Sequence, residues 1–269
     1  LSQERDLPHP IRFIFQPAEE LGEGAKAMIA EGALDNVSRI FGGHLDPHFP
    51  VGSIIVTDGP VNAASDRFTI TIDAGEGGHG ARPHEAVDAI VIGSLLVISI
   101  QTIISREINP AHPAVITIGQ FQAGKAGNVI TGHAELEGTI RSHHSETRAF
   151  LKDAINRMAE SFGQIHGATI HIDVREGTPA LRNDPATAAI ARQAAREVVG
   201  EASVWAMELP SMGSEDFSYY ANRVPGCYVR FGATPPGEEM HPLHSSEFQF
   251  GEEALIYGAS YFHRVAMMD

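Results

Sequence analysis

The stretch Asp66–Ala74, DRFTITIDA, decides the fold: its apolar residues fall on every second position, so one face of an extended chain is greasy and the other polar. The same alternation returns in Pro113–Phe121 (PAVITIGQF), Ala134–Ser142 (AELEGTIRS) and Gly167–Glu176 (GATIHIDVRE). Such segments read as half-buried antiparallel strands. Two long helical stretches, Glu85–Ile108 and Ser145–His166, lie between and after them. The order β-α-β-β-α-β is the split-βαβ, ferredoxin-like arrangement, and it predicts a complete α+β domain over residues 65–176.

Outward from this block the pattern changes. Ile11–Phe15 (IRFIF) is a continuous apolar run closed by Pro17, as expected of a fully buried strand, and a helix is expected from Gly22 to Ala33. Two strand-like runs follow, SRIFGGHL and GSIIVTDG. After Gly177 come a helix over Asp184–Val199, a short SVWAMEL strand, a helix opened by Ser214, an apolar CYVRFGA strand and a terminal helix from Glu252. This predicts an α/β domain with parallel pairing, built from residues 1–64 and 177–269 and interrupted by the inserted 65–176 domain. The most apolar run, Ala89–Ile104, is shorter than the ~20 residues of a membrane span and carries Ser94, Gln101 and Thr102. It reads as a buried or interface helix.

Composition narrows the classes. The 269 residues are 43% hydrophobic, which argues against disorder, and their formal charge of −15 repels phosphate backbones and anionic membranes. Neither nucleic acid nor a membrane is an expected partner. One cysteine, Cys227, excludes an intramolecular disulfide framework and favours a reducing cytoplasmic setting. The N-terminus, LSQERDLPHP, lacks the apolar core of a signal peptide, and Leu1 reads as a processing point or the edge of a fragment. Fourteen histidines leave open which of them converge.

Four segments could carry chemistry. Gln16-Pro17-Ala18-Glu19-Glu20 follows the IRFIF run, where ligands of open α/β sheets gather; one carboxylate could bind a metal while its neighbour acts as a base. It reads equally as a solvated helix start. Phe41-Gly42-Gly43-His44 offers a strand-end imidazole, although a lone strand-end histidine is more often structural. His241-Pro242-Leu243-His244-Ser245 sets two histidines in a loop. Together these place imidazole and carboxylate on three loops of one domain, a ligand set suited to zinc, manganese, cobalt or nickel. Gly77-Gly78-His79-Gly80-Ala81-Arg82-Pro83-His84 is either a helix-entry loop or a place where a substrate or partner approaches His79.

In order along the chain, IFQPAEE, FGGHLDPHFPVG, SDRF, GGHGARPH, GNVITGHAELEGTIR, PSMGSEDFSYY and PLHSSEF are similar to motifs of the metal-dependent amidohydrolases of the aminoacylase and carboxypeptidase type. The chain resembles the branch with hippurate hydrolase, N-acyl-amino-acid amidohydrolases and plant auxin-conjugate hydrolases. The resemblance implies an aminopeptidase-like α/β catalytic domain with a dinuclear metal centre and an inserted lid through which the chain forms a homodimer. It implies that Glu19 is the general base, that Glu20, His44 and His244 are metal ligands, and that His79 stabilises the oxyanion. Asn128, Arg141 and Gly213 match substrate-binding positions, with the Ser214-Glu215-Asp216 turn beside them. The implied reaction is hydrolysis of the amide bond of N-acyl amino acids by two divalent metals. A His-x-Cys-Gly-His-Asp segment, to which the resemblance assigns further ligands, does not occur in these residues. The expectation is therefore a chain lacking the N-terminal part and impaired as it stands. The alternative is a non-catalytic dimerisation or ligand-binding module; a dinuclear aminopeptidase shares the metal chemistry but not the lid.

Overall fold

The computed structural model describes residues 1, 4 and 6–268. It divides into two compact units, the first formed by residues 1–62, 181–211 and 215–269 and the second by residues 63–180 and 212–214. The second unit thus begins and ends close to the alternating block, and it also takes in Met212–Ser214, which the sequence reading assigned to the last α/β segment. The reason is local: the Ala63 N–H donates to Gly213 O at 3.0 Å, and the Arg141 guanidinium donates to Met212 O at 2.9 Å.

The first unit opens with helix α1 (Gly24–Ala30) and strands β1 (Ile40–Pro50), β2 (Ile54–Ile55) and β3 (Gly59–Asn62). The second unit contributes β4 (Ala64–Asp73), β5 (Gly78–His79), α2 (Ala89–Thr102), β6 (Ala114–Ala123), β7 (Val129–Ile130), β8 (His133–Ser142), α3 (Ser145–His166) and β9 (Thr169–Glu176). The chain then returns to the first unit through β10 (Leu181–Asn183), α4 (Pro185–Val199), β11 (Val204–Trp205), α5 (Ser218–Ala221), β12 (Gly226–Thr234) and α6 (Glu253–Ala266).

In the second unit the four long strands form an antiparallel sheet of order β6-β8-β4-β9, the order of a split-βαβ fold. Its core gathers Phe68, Ile70 and Ile72 of β4, Leu136 and Ile140 of β8, and Ile92, Leu96 and Ile100 of α2. Asp88 caps α2 by accepting from the Ile90 and Val91 N–H groups, so the helix starts at Ala89 rather than Glu85; a π turn over Ile103–Glu107 ends it. By length and composition alone the Ala89–Glu107 stretch could cross a membrane. One side of α2 packs on the sheet, while Ile90, Val91, Leu95 and Ile98 remain exposed. At the base of the unit, buried Asp66 accepts from Arg148 through both oxygens and from the Gly177 N–H at 3.0 Å, with Lys152 Nζ at 3.3 Å. Burial alone would raise the Asp66 pKa, but the hydrogen bonds and charges of Arg148 and Lys152 outweigh it and hold the carboxyl below its ordinary value.

In the first unit the main sheet has the order β1-β12-β2-β11. β1 runs parallel to β12 and β2 parallel to β11, but β12 and β2 are antiparallel, so the sheet is mixed rather than parallel throughout. One correction concerns Ile11–Phe15: it is not a buried strand. No strand among the described residues pairs with it, and Phe13 and Phe15 are 63% and 87% exposed. Without a neighbouring strand its backbone has no ladder and its side chains no opposing face. Arg12 instead ties the segment to the end of α1, donating to Gly32 O at 3.1 Å and Ala33 O at 2.9 Å. The helix expected from Ser214 begins only at Ser218, because the Glu215 carboxylate turns back to accept the Phe217 N–H.

Candidate metal and catalytic site

The QPAEE segment folds as a strained turn. Ala18 has φ 56°, a left-handed conformation that costs a non-glycine residue energy, and it delivers Glu19 into a short 3₁₀ turn over Glu19–Leu21. Gly24 lets the start of α1 press against this turn: a Cβ there would lie 1.7 Å from Pro17 O. The turn is pinned from the other side by Asp216. Gln16 Nε2 donates to both Asp216 oxygens at 2.8 Å, and the Ala25 N–H donates to Asp216 Oδ2 at 3.1 Å.

As a result Glu19, Glu215 and Asp216 converge, with one ligand atom of each within 4.8 Å of the others. The two latter carboxylates are already committed: Glu215 accepts from the Phe217 N–H at 3.1 Å and from the Tyr228 hydroxyl, and Asp216 holds the turn. Glu19 is therefore the carboxylate of the three placed for chemistry. Burial, then the charges of Glu215, Asp216 and Glu20, push its pKa up to about 7.

Glu20 and His244 approach each other, with Nδ1 to Oε1 at 3.7 Å, and both are well exposed. His44 lies half-buried on β1, its Nδ1 2.5 Å from Leu45 O. A proton on Nδ1 satisfies that carbonyl and leaves the Nε2 lone pair open, the arrangement usual for a metal-binding imidazole. Among the described residues Glu20, His44 and His244 do not form a group of three within 4.8 Å of one another. Cys227 is no substitute ligand, since burial in β12 pushes its thiol up to about 12 and keeps it protonated.

The remaining predicted residues belong to the second unit. His79 and Asn128 are brought together by the β5–β7 ribbon: the Gly80 N–H donates to Asn128 O at 2.9 Å, and a Cβ on Gly80 would crowd that same oxygen. His79 is exposed, and its Nδ1 accepts from the Ala81 N–H at 3.0 Å, which places its proton on Nε2. Arg141 spends one donor on Met212 O, beside Gly213.

Two features escaped the sequence reading. The clustering of Glu215 and Asp216 with Glu19, and the role of Gln16 in holding it, depend on contacts across some 200 residues of chain, and Tyr228 braces Glu215 from thirteen residues on. Arg230 was passed over as part of an apolar strand, although a charged residue inside CYVRFGA was itself a signal. It is buried and bonds Asp46 and Asn62.

Comparison with known proteins agrees with the motifs. The model of peptidase family M20/M25/M40 matches residues 1–268. A Synechocystis protein named as a probable hydrolase is 40% identical over 253 residues, covering 94% of this chain and 64% of its own length. N-acetylcysteine deacetylase of Bacillus subtilis is 37% identical over 269 residues, covering 100% of this chain and 69% of the relative. The crystal structure of the Bacillus subtilis YXEP protein, a dinuclear metal binding peptidase, superposes with a TM-score of 0.77 at 31% identity, covering 94% of this chain and 63% of that one. The chain thus spans about two thirds of the length of the relatives it matches.

Proposed function

Because the chain belongs to peptidase family M20/M25/M40, we propose that it serves metal-dependent hydrolysis of the amide bond of small N-acyl amino acids. The observation that carries this reading is the half-buried Glu19 held among Glu215 and Asp216, next in sequence to Glu20. The deacetylase and the dinuclear metal binding peptidase among its relatives support it.

The donor set suits divalent metals: Glu20, His244 and the free Nε2 of His44 would hold them, oxygen and imidazole together, as zinc, manganese, cobalt or nickel accept. Divalent ions held there would polarise a carbonyl and acidify water. The chain's own residues do the rest. Glu19 takes a proton from the attacking water onto its carboxylate and returns it to the nitrogen of the departing amine. A carboxyl with a pKa near the working pH is suited to both transfers. His79, with its proton on Nε2, donates to the developing oxyanion in the active site of a second copy of the chain. Asn128 and the unspent donors of Arg141 hold the substrate's carboxylate or scissile carbonyl, an Arg fork binding a carboxylate bidentately, and Gly213 follows Met212, whose carbonyl Arg141 holds. The exposed apolar residues of α2 support association of two copies through the second unit, and the single buried cysteine is consistent with a cytoplasmic setting.

The 269 residues contain no His-x-Cys-Gly-His-Asp segment, so we expect weak turnover from this chain alone. The test is hydrolysis of N-acyl amino acids with added zinc or manganese. Trace turnover from the 269 residues is expected, with full activity in a form carrying that segment and a loss of about 10²–10⁴-fold on Glu19→Gln with metal content unchanged. Near-normal activity of Glu19→Gln would remove Glu19 from its role. If neither form binds metal or hydrolyses substrate, the chain is a binding or dimerisation module instead.

A further inference from the structure

The first unit holds a cavity of about 640 Å³ that the proposed chemistry leaves unused. Asp46, Phe49, Trp205, Leu209, Arg230 and Leu243 line it. Its volume falls within the range of small-molecule sites.

Its position is set by the sheet. His44 and Arg230 are register partners on parallel strands, and Asp46 lies two residues beyond His44, so all three project from one face. Leu243 directly precedes His244. The cavity therefore opens on the sheet face that carries His44, and its lining residue Leu243 is the chain neighbour of His244.

Its walls are aromatic and apolar. The Phe49 and Trp205 rings stand 6.0 Å apart at 53°, and Trp205 is fixed by donation of its indole N–H to Ala202 O at 2.9 Å. Even so, Trp205 is 40% exposed and Leu209 78% exposed, apolar surface left wet around a concavity.

Its base is polar and rich in donors. Arg230 is only 9% exposed; it donates to Asp46 Oδ2 and Asn62 Oδ1, each at 3.2 Å, while its buried Nε has no acceptor. A guanidinium offers five N–H donors, so donors remain unspent on a side chain that lines the cavity.

We propose that this cavity selects the substrate by taking an aromatic group with a hydrogen-bond acceptor at its far end. The ring packs between Trp205, Phe49 and Leu243, and the acceptor meets Arg230. The inference rests on the amide-hydrolase reading, because the group that enters belongs to a molecule whose amide lies at His44 and His244. The aromatic group can come from the acyl half or from the amino-acid side chain.

Trp205 is the only tryptophan, so its emission reports occupancy of the cavity without turnover or metal. The full chain is titrated with N-acetyltyrosine, N-acetylphenylalanine, para-hydroxybenzoylglycine, benzoylglycine and N-acetylglycine. A saturable change is expected with one aromatic pair, which identifies the half that enters, and none with N-acetylglycine. Within that pair the hydroxylated member binds about tenfold tighter, as a hydrogen bond to a charged group allows. Leu209→Ala, at an exposed rim position, weakens both members, and Arg230→Gln abolishes the hydroxyl preference. Equal affinity of the hydroxylated and plain members in the parent chain overturns the assignment, whether or not Arg230→Gln folds. So does the absence of any saturable change. Hydrolysis of N-acetylglycine by a metal-loaded form, with no response of Trp205 to any of the aromatic compounds, sinks the pocket and leaves the amidase reading. Aromatic binding without hydrolysis of any substrate does the reverse.

Discussion

The two units treat apolar sequence differently. In the second, each alternating strand has a partner, the most distant pair being β4 and β9 about a hundred residues apart, and the sheet's apolar face closes on α2 and α3. In the first, β1 has a partner on one side only among the described residues, and Phe13 and Phe15 stand in solvent although they lie in as hydrophobic a stretch as any strand. The contrast shows that a period-two pattern states both a conformation and a face to bury. A bare apolar run states only that burial is wanted, and the neighbouring element must supply it.

The largest expected effect tests the closed unit. Replacing Asp66 with Asn leaves Arg148 buried without its carboxylate and should cost about 3–5 kcal/mol in denaturant unfolding at neutral pH. Because the folded pKa of Asp66 lies below its unfolded value, this stabilisation is complete above the unfolded value and is lost as pH falls through the folded one. The deficit of Asp66→Asn should therefore shrink in acid, and a deficit independent of pH would mean that charge is not its source.

Leu136→Ala, fully buried on β8, should cost about 2–5 kcal/mol by the same measurement. The open unit should answer differently. Glu19 has a raised pKa, so the metal-free folded state holds a proton that the unfolded state releases between the ordinary value of 4.5 and about 7, and stability falls as pH rises through that window. Glu19→Gln should relieve this by on the order of 1 kcal/mol at alkaline pH, measured on metal-free protein. Smallest of all, Phe15→Ser should change stability by no more than about 0.5 kcal/mol in this chain. A Phe15→Ser cost as large as that of Leu136→Ala would erase the distinction between the units.

Legibility in the sequence followed the same division. The four alternating strands and the helix Ser145–His166 of the second unit could be read almost to their ends, because each carries its own periodicity; α2 is apolar nearly all round, and its start at the Asp88 cap lies four residues past the expected Glu85. Residues of the first unit were nameable only by motif. That Glu19 would meet Glu215 and Asp216, or that Arg230 would stand beside His44, depends on strand order, which local pattern does not encode. The strand expected at Ile11–Phe15 failed for that reason: its residues were right for a strand, and no partner lies beside it among the described residues.

The proposed metal centre can be tested on the chain as it is, by zinc titration of the parent and of His44→Ala under conditions where both are folded. The parent should bind zinc, and loss of the His44 imidazole should weaken binding by at least about tenfold. Equal binding by the two proteins, or none by either, would contradict the assignment of His44 and with it the metal-dependent reading.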